Sequence, residues 1–242
     1  MPLVPQPVSG RVFRGRRRVR LSDVDVRNRL RLDAIARYLQ DVATDDVDDA
    51  GWSAGDGAWV VRRTRYEVVA PVAGDETVEL ATWCAGIGAS AALRRTSIDG
   101  SGGGRVETET VWIHLDANGR PARVDERFHA LYAESARVEA RPPRASTRLE
   151  LPEPPAGADR IRWPLRVTDV DLAGHVNNAA YWSAVEQVLP RDRAVRSAVL
   201  EYRDPVDLGE PVELATWRDG SAFAVAFVAG GAVRASARVV LG

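Results

Sequence analysis

Hydrophobic and polar positions in the first half of the chain predict one long helix and a set of strands. Alternation of apolar and polar residues over positions 10–21 predicts the first strand. The apolar residues that follow recur at helical spacing, at Leu32, Ile35, Ala36, Leu39 and Ala43, and Asp33 is placed to cap that helix. Four β-branched runs between glycine-bearing turns then predict strands near residues 59–69, 76–84, 93–98 and 106–115.

The second half of the chain repeats this order of elements. The hexapeptide VELATW occupies residues 78–83 and, unchanged, residues 212–217, which is 134 positions later. An Asp-Val-Asp run precedes each copy, at residues 23–25 and 169–171. A helical pattern, an apolar strand and a Pro-Val turn separate each run from its hexapeptide in the same order. Because a chance match would not bring this surrounding order with it, the chain is predicted to hold two copies of one module.

Both modules are predicted to have the same α+β architecture. One helix and several antiparallel strands bury their apolar faces best when the sheet curls around the helix. We assign residues 1–140 to an N-terminal module and residues 161–242 to a C-terminal module. Residues 141–160 between them are rich in proline and are predicted to form a linker.

Composition narrows the class of protein. The 242 residues carry 33 basic and 34 acidic side chains, a net charge of −1, so no basic field points to nucleic acid. The chain has no lysine, which excludes a Schiff-base lysine and the lysine of a P-loop. The single cysteine, Cys84, excludes a disulfide framework and suits a reducing compartment. No apolar run is long enough to span a membrane, and we expect a cytoplasmic protein.

The densest polar cluster, residues 168–178, lies just before the second predicted helix. Gly174 permits a tight turn there, and the first N–H groups of a helix lack partners within the helix. With the positive end of the helix dipole, these donors favour a developing oxyanion. The carboxylate of Asp171 could attack a carbonyl held there or activate a water. The alternative is that Asp171, Asn177 and Asn178 are simply caps and turn residues.

The stretch from Asp171 to Tyr181 resembles the Asp-x-x-Gly-His-Val-Asn-Asn-x-x-Tyr signature of hot-dog-fold thioesterases. From about residue 20 to about residue 205 the chain is similar to the plant fatty acyl-ACP thioesterases, which carry two hot-dog modules in one chain. The resemblance implies a tandem hot-dog fold, in which two antiparallel sheets each wrap a long helix and pack as a pseudo-dimer. It also implies a catalytic C-terminal module and an N-terminal module that shapes the acyl pocket. A chain that supplies its own pseudo-dimer is expected to be a monomer or a weak homodimer.

The resemblance also implies the roles of individual residues. Asp171 takes the catalytic aspartate position and His175 the catalytic histidine position, and no metal or other cofactor is expected. The residues expected to bind substrate are Gly174, Val176, Asn177 and Asn178. His175 is expected either to hydrogen-bond Asp171 or the substrate, or only to help fix the turn.

Three positions depart from the plant pattern. Ala173 stands where the plant enzymes have asparagine, and Pro205 and Val206 stand where they have a Glu-Cys pair. The simpler single-aspartate hot-dog thioesterases do not need those residues. The first module keeps Asp25 but has Arg27-Asn28-Arg29 in place of Ala173-Gly174-His175, so it is predicted to be inactive, with Asp25 a turn residue or an arginine partner.

The resemblance implies a hydrolase that converts fatty acyl-ACP to free fatty acid and holo-ACP. A thiolate of pKa ~8.5 leaves without a strong general acid, so one carboxylate and oriented N–H donors suffice. The alternatives are an acyl-CoA thioesterase and a catalytically inactive acyl-binding protein. A basic run is predicted to be either a solvated strand edge or a dock for acidic acyl carrier protein or a coenzyme A phosphate, and it consists of Arg14, Arg16, Arg17, Arg18 and Arg20.

Overall fold

The computed structural model of the chain describes residues 3–52, 57–137, 143–144 and 151–242. The chain divides into two compact units, one of Met1–Leu30 and Arg37–Arg148, the other of Arg31–Ala36 and Leu149–Gly242. Part of the predicted linker, residues 141–142 and 145–150, lies outside the described residues. None of the described helices is both long and apolar enough to cross a membrane.

The first unit contains a five-stranded antiparallel sheet. The elements of the chain up to the end of this sheet, with the short helix that follows, are β1 (Phe13–Arg18), α1 (Leu32–Asp49), β2 (Ala58–Ala70), β3 (Thr77–Ile87), β4 (Ala91–Gly100), β5 (Arg105–Leu115) and α2 (Glu126–Tyr132). The strands run in the spatial order β1-β3-β4-β5-β2, so each pair of sequential strands from β3 to β5 forms a hairpin. The first copy of VELATW lies in β3, which pairs with the edge strand β1.

The long helix predicted in the first half is confirmed as α1. All of the apolar residues that predicted it are buried, which are Leu32, Ile35, Ala36, Leu39 and Ala43. The prediction that Asp33 caps this helix is wrong. Asp33 lies inside the first turn of the helix, one residue after its start, and not at the N-cap position, and its carboxylate accepts hydrogen bonds of 2.8 Å from the guanidinium of Arg31.

The second unit repeats the sheet of the first, strand for strand. The spatial order β6-β8-β9-β10-β7 corresponds to β1-β3-β4-β5-β2, with the second VELATW in β8 beside the edge strand β6. The predicted repeat, with one strand, one helix and four further strands in each module, is therefore confirmed. Its elements are β6 (Asp159–Trp163), α3 (Asn178–Val188), β7 (Val195–Tyr202), β8 (Val212–Asp219), β9 (Ala222–Ala229) and β10 (Ala232–Leu241).

Aromatic side chains hold α3 against the sheet of the second unit. Tyr181 of α3 is buried, and its ring centroid lies 4.9 Å from that of Phe227 on β9 and 5.3 Å from that of Tyr202 on β7. Trp163 at the end of β6 completes the cluster at 5.7 Å from Tyr181. Edge-to-face ring pairs of this kind add about 0.5–1.5 kcal/mol each beyond their buried area. The start of α3, which carries the candidate site, is thereby fixed on a rigid support.

Candidate active site

The candidate site is the loop that joins β6 to α3. A single helical turn, Val167–Asp169, leads into it, and an isolated bridge between Val170 and Val176 closes its base. Gly174 at the tip has φ +82°, in the left-handed region that favours glycine. A Cβ atom at Gly174 would meet no atom within 4 Å, so the need for glycine is conformational rather than steric.

The first aspartate of the second Asp-Val-Asp run serves the fold. Asp169 is buried, and its carboxylate accepts hydrogen bonds from the backbone N–H and the guanidinium of Arg166, at 2.8 and 2.7 Å. Its backbone carbonyl accepts the N–H of Asn177 at 2.8 Å. Asp169 therefore ties both ends of the loop together, and its burial keeps its carboxylate away from solvent and substrate.

Asp171, the second aspartate of the run, has a different environment. Its side chain is exposed, and one carboxylate oxygen accepts the N–H of Ala173 at 3.0 Å while the other accepts the side-chain amide of Asn177 at 3.2 Å. These two donors fix the orientation of the carboxylate but occupy only part of its acceptor capacity. The carboxylate is thus held in place and still open to a reacting group.

Asn177 is the N-cap of α3. Most of the N–H groups that were expected to bind a carbonyl oxygen already donate hydrogen bonds within the protein. The side-chain oxygen of Asn177 accepts the N–H of Ala179, and its backbone carbonyl accepts the N–H of Ala180, both at 2.9 Å. The N–H of Val176 donates to Val206 at 2.9 Å. Among the described residues, none accepts the N–H of Asn178, the first residue of the helix. The predicted oxyanion donors therefore narrow to the N–H of Asn178.

His175 contacts a residue that the sequence did not single out. Its Nδ1 lies 2.6 Å from a carboxylate oxygen of Asp207, and the two residues also form an isolated backbone bridge. The described contacts of His175 include no bond to Asp171, which was one of the partners expected for it. The side chains of His175 and Asp207 are 46% and 61% exposed.

A second row of polar groups supports Asp207. The backbone N–H of Asp207 donates to the carboxylate of Glu210 at 2.9 Å, and Arg234 on β10 donates to the other oxygen of Glu210 at 3.3 Å. Burial raises the pKa of the nearby Tyr181 phenol well above its usual range; the charges of Glu210 and Asp207 raise it further, against the opposing effect of Arg234. Tyr181, the last residue of the signature, thus remains a neutral phenol at physiological pH.

The equivalent loop of the first unit is closed by an ion pair. Asn28, with φ +60°, takes the place of Gly174, and Arg29 takes the place of His175. The guanidinium of Arg29 contacts one oxygen of Asp25 at 2.7 and 2.8 Å, and the N–H groups of Arg27 and Arg29 donate to the other at 2.9 Å. Asp25 was predicted to be either a turn residue or an arginine partner, and the structure shows both kinds of contact.

This pairing also changes the acidity of Asp25. Burial alone would raise the pKa of Asp25, but the hydrogen bonds from Arg29 and from the backbone of Arg27 outweigh it and lower the pKa below its usual range. The two aspartates at the same position of the repeat therefore differ: Asp25 is neutralised by its partners, whereas Asp171 keeps an open carboxylate.

Other candidate groups lie in the first unit. Cys84 is buried, and burial raises the pKa of its thiol to about 11. The group is therefore a neutral thiol at neutral pH and not a nucleophilic thiolate. Nδ1 of His114, on β5, lies 3.1 Å from the backbone carbonyl of Arg123. Within the described ranges of the chain, no group of three His, Cys, Asp or Glu side chains is arranged to hold a metal ion.

The fold of the whole chain matches that of a solved thioesterase. The 12:0-ACP thioesterase from Umbellularia californica gives a TM-score of 0.80 at 20% sequence identity, and the match covers 98% of this chain and 99% of that one. The α+β, tandem hot-dog fold expected from the sequence is therefore confirmed. Because the domains of a thioesterase family also match both halves of the chain, the class of protein is a thioester hydrolase.

Sequence comparison gives the family. Residues 10–132 match the acyl-ACP thioesterase N-terminal domain, and residues 153–237 match the acyl-ACP thioesterase C-terminal domain. An uncharacterized protein of Mycobacterium tuberculosis is 34% identical over 98% of this chain and 95% of its own length. Oleoyl-acyl carrier protein thioesterase 2 of Arabidopsis thaliana is 26% identical over 76% of this chain, which spans 57% of that enzyme. The chain belongs to the acyl-ACP thioesterase family.

Proposed function

We propose that this protein hydrolyses fatty acyl thioesters of acyl carrier protein, with Asp171 and His175 as its reacting groups. The observation that carries the proposal is the contrast between its two loops. The loop of the second unit holds an exposed carboxylate at the start of a helix, whereas an arginine neutralises the carboxylate at the same position of the first unit. The membership of both halves in the acyl-ACP thioesterase family supports the choice of substrate.

The chemistry needs few groups. Water adds its oxygen to the thioester carbon and loses a proton to a base, the C–S bond breaks, and the carrier leaves as a thiolate that is protonated afterwards. Asp171 can supply the base, or it can attack the carbon itself and form an acyl-enzyme anhydride that water then hydrolyses. In both routes the N–H of Asn178, at the positive end of α3, is the proposed donor that stabilises negative charge on the carbonyl oxygen.

Two further candidate functions follow from particular features. A coenzyme A thioester presents the same reacting bond, so an acyl-CoA thioesterase is the closest alternative. Ala173 and the Pro205-Val206 pair stand where the plant enzymes have polar residues, which favours a catalytically inactive acyl-binding protein. The exposed, oriented carboxylate of Asp171 argues for hydrolysis over the inactive form.

A direct assay separates these functions. The purified protein is incubated with acyl-ACP and acyl-CoA substrates of several chain lengths, and the release of free thiol is followed with time. We expect turnover on acyl-ACP that exceeds turnover on the matched acyl-CoA and that disappears with Asp171→Asn. Thiol release from acyl-CoA alone would replace the proposed carrier, and binding without release from any substrate would identify an acyl-binding protein.

Most arginines of the run that was considered as a dock for the carrier are paired with carboxylates. Of the predicted arginine dock, Arg14 pairs with Glu79 at 2.8 Å and Arg18 with Asp75 at 3.3 Å. Arg17 lies between Asp41 and Asp45, at 3.2 and 3.3 Å from their carboxylates. Most of the positive charge on β1 is therefore offset locally, which favours a solvated strand edge over a dock for an acidic carrier. The expected cytoplasmic location and monomeric or weakly dimeric state stay predictions, to be checked by cell fractionation and by light scattering.

A further inference from the structure

We infer that Asp207 is a positioning residue that holds His175 in one tautomer, with Nε2 as the acceptor that takes a proton during thioester hydrolysis. The inference rests on the proposed function and deepens it by choosing between its two routes. With His175 as the base that takes the proton of water, Asp171 is the carboxylate that attacks the thioester carbon. The sequence resemblance gives no role to Asp207, because the plant Glu-Cys pair falls on Pro205 and Val206 instead.

The contact itself defines the tautomer. An ionised carboxylate only accepts hydrogen bonds, so the 2.6 Å contact between the Asp207 oxygen and Nδ1 of His175 requires the proton to be on Nδ1. In the neutral imidazole, Nε2 then carries the lone pair. The same division of roles, with a carboxylate on one ring nitrogen and proton transfer at the other, operates in serine hydrolases.

The internal repeat supplies a control for this pairing. The isolated bridge that joins His175 to Asp207 in the second unit joins Arg29 to Ala73 in the first. The module that lacks the histidine therefore also lacks the carboxylate at the position facing it. Both residues of the pair are present in one module and both are absent from the other.

The repeat also shows which neighbour of Asp207 belongs to the fold. In the second unit, Glu210 accepts the N–H of Asp207 at 2.9 Å; in the first, Glu76 accepts the N–H of Ala73 at 2.7 Å. This carboxylate caps the same turn in both modules, whether or not a histidine is present. Glu210 is therefore a structural part of the turn, and the aspartate at 207 is the addition specific to the candidate catalytic module.

A purely stabilising role does not account for the pair. With His175 and Asp207 about half exposed, an ion pair between them contributes only about 0–1 kcal/mol to folding. The turn that carries Asp207 is nevertheless well supported. Arg234, which binds Glu210, sits at a shift in the β9–β10 register, and bulges of this kind redirect a side chain. The arrangement orients a group more than it stabilises a fold.

The test compares Asp207→Asn with Asp204→Asn. Asp204 lies in the same turn, is exposed and has no side-chain partner among the described residues, so it controls for the loss of one negative charge. The first measurement is the ¹⁵N spectrum of the imidazole rings at about pH 8.5, above the ordinary titration range of histidine. The chain has only three histidines, and His175→Gln identifies the signal of interest. The second measurement is kcat on the best acyl-ACP substrate.

We expect the wild-type protein and Asp204→Asn to show a ring protonated at Nδ1. We expect Asp207→Asn to show a mixture of tautomers or the Nε2-protonated form, and a kcat about 10- to 100-fold lower with KM changed less. A buried triad loses about 10⁴-fold on the same change, and the exposure of this pair reduces the effect. Unchanged tautomer and unchanged kcat in Asp207→Asn would overturn the inference. Because the ring spectrum does not need turnover, it decides the role of Asp207 in orientation even if no thioester is hydrolysed, which would refute the proposed function separately.

Discussion

Replacing each of the two repeat-related aspartates by asparagine should give opposite results. Asp171→Asn keeps the size of the side chain and an oxygen that can accept the N–H of Ala173, but it removes the negative charge. Asp25→Asn makes the same change in the first unit, where the charge is already paired with Arg29. The pair of variants therefore separates the role of a charge in chemistry from its role in folding.

The structure sets the size of each effect. Loss of a positioned catalytic group lowers a rate by about 10²- to 10⁴-fold, so Asp171→Asn should reduce kcat at least ~10²-fold, or about 2.7 kcal/mol in the barrier. The exposed carboxylate has two local donors, and its loss should cost under about 1 kcal/mol of stability. For Asp25 and Arg29, whose side chains are 26% and 23% exposed, we expect about 1 kcal/mol of lost stability and kcat within a few-fold of wild type.

The assay combines thiol release from acyl-ACP with urea unfolding of the same preparations. A crossed result, in which one variant loses activity and the other loses stability, supports the assignment of Asp171. Equal effects of the two variants on kcat, or an active Asp171→Asn, would show that the second loop is only a helix cap. Wild-type activity of Asp25→Asn does not by itself support the assignment of Asp171. Any mechanism in which the first module is inactive predicts the same result.

The remaining predictions concern charge and thiol chemistry. Because the folded pKa of Asp25 is lowered, its stabilising effect is present above the ordinary aspartate pKa of about 3.9 and is lost as pH falls through the lower folded value. The difference in unfolding free energy between Asp25→Asn and wild type should therefore shrink as the pH is lowered below about 3.9. The buried Cys84 thiol, with its pKa raised to about 11, should resist alkylation at pH 8 until urea unfolds the chain. Arg16 is exposed and has no ion-pair partner among the described residues; if β1 contacts an acidic carrier, Arg16→Glu should lower kcat/KM for acyl-ACP about 3-fold or more at low salt, and Arg14→Glu should have a smaller effect.

The repeat made most of the fold predictable from the sequence. Residues 78–83 and 212–217 occupy the same place in the two sheets, each beside an edge strand. The period-2 pattern of a strand determines which side chains point to the buried face of the sheet, so identical sequences adopt the same register. Strand ends were less well defined. The predicted first strand, residues 10–21, is only Phe13–Arg18, because Gly10 lies in a bend with φ +86° and Leu21 begins a short 3-10 helix, although the apolar-polar alternation runs through both.

The candidate site was predictable only where its residues are local in sequence. Asp171 and Gly174 lie within one turn, and the positive φ that the loop requires is visible as a glycine. The partner of His175 is 32 positions away on another turn, beyond the reach of any local pattern. The repeat itself was the signal that could have identified Asp207. When the two Pro-Val turns are aligned, Asp207 occupies the position that Ala73 has in the first copy, so a carboxylate is added in the second.

The greater length of α1, most of which belongs to the first unit, explains a buried aspartate that the apolar pattern did not predict. The helix α1 has 18 residues and α3 has 11, so the last two turns of α1 have no counterpart in the second unit. Asp46 lies in that extension, three positions after Ala43, and therefore on the buried face of the helix. A carboxylate there must be paired, and in the structure Arg11, Arg94 and Tyr132 supply the donors.

Removing the charge of Asp46 from this buried cluster should destabilise the first unit strongly. Asp46 is 1% exposed and accepts bonds of 2.7 Å from Arg11 and Arg94 and 2.9 Å from the Tyr132 hydroxyl. Asp46→Asn leaves the Arg94 guanidinium, 10% exposed, without its counter-charge, and breaking one side of a buried pair costs about 3–5 kcal/mol. Asp49→Asn, which removes a 58% exposed partner of the same Arg11, should cost under about 1 kcal/mol. Urea unfolding followed by tryptophan fluorescence measures both, and equal midpoints for the two variants would mean that packing alone, without the ion cluster, holds the extended helix on its sheet.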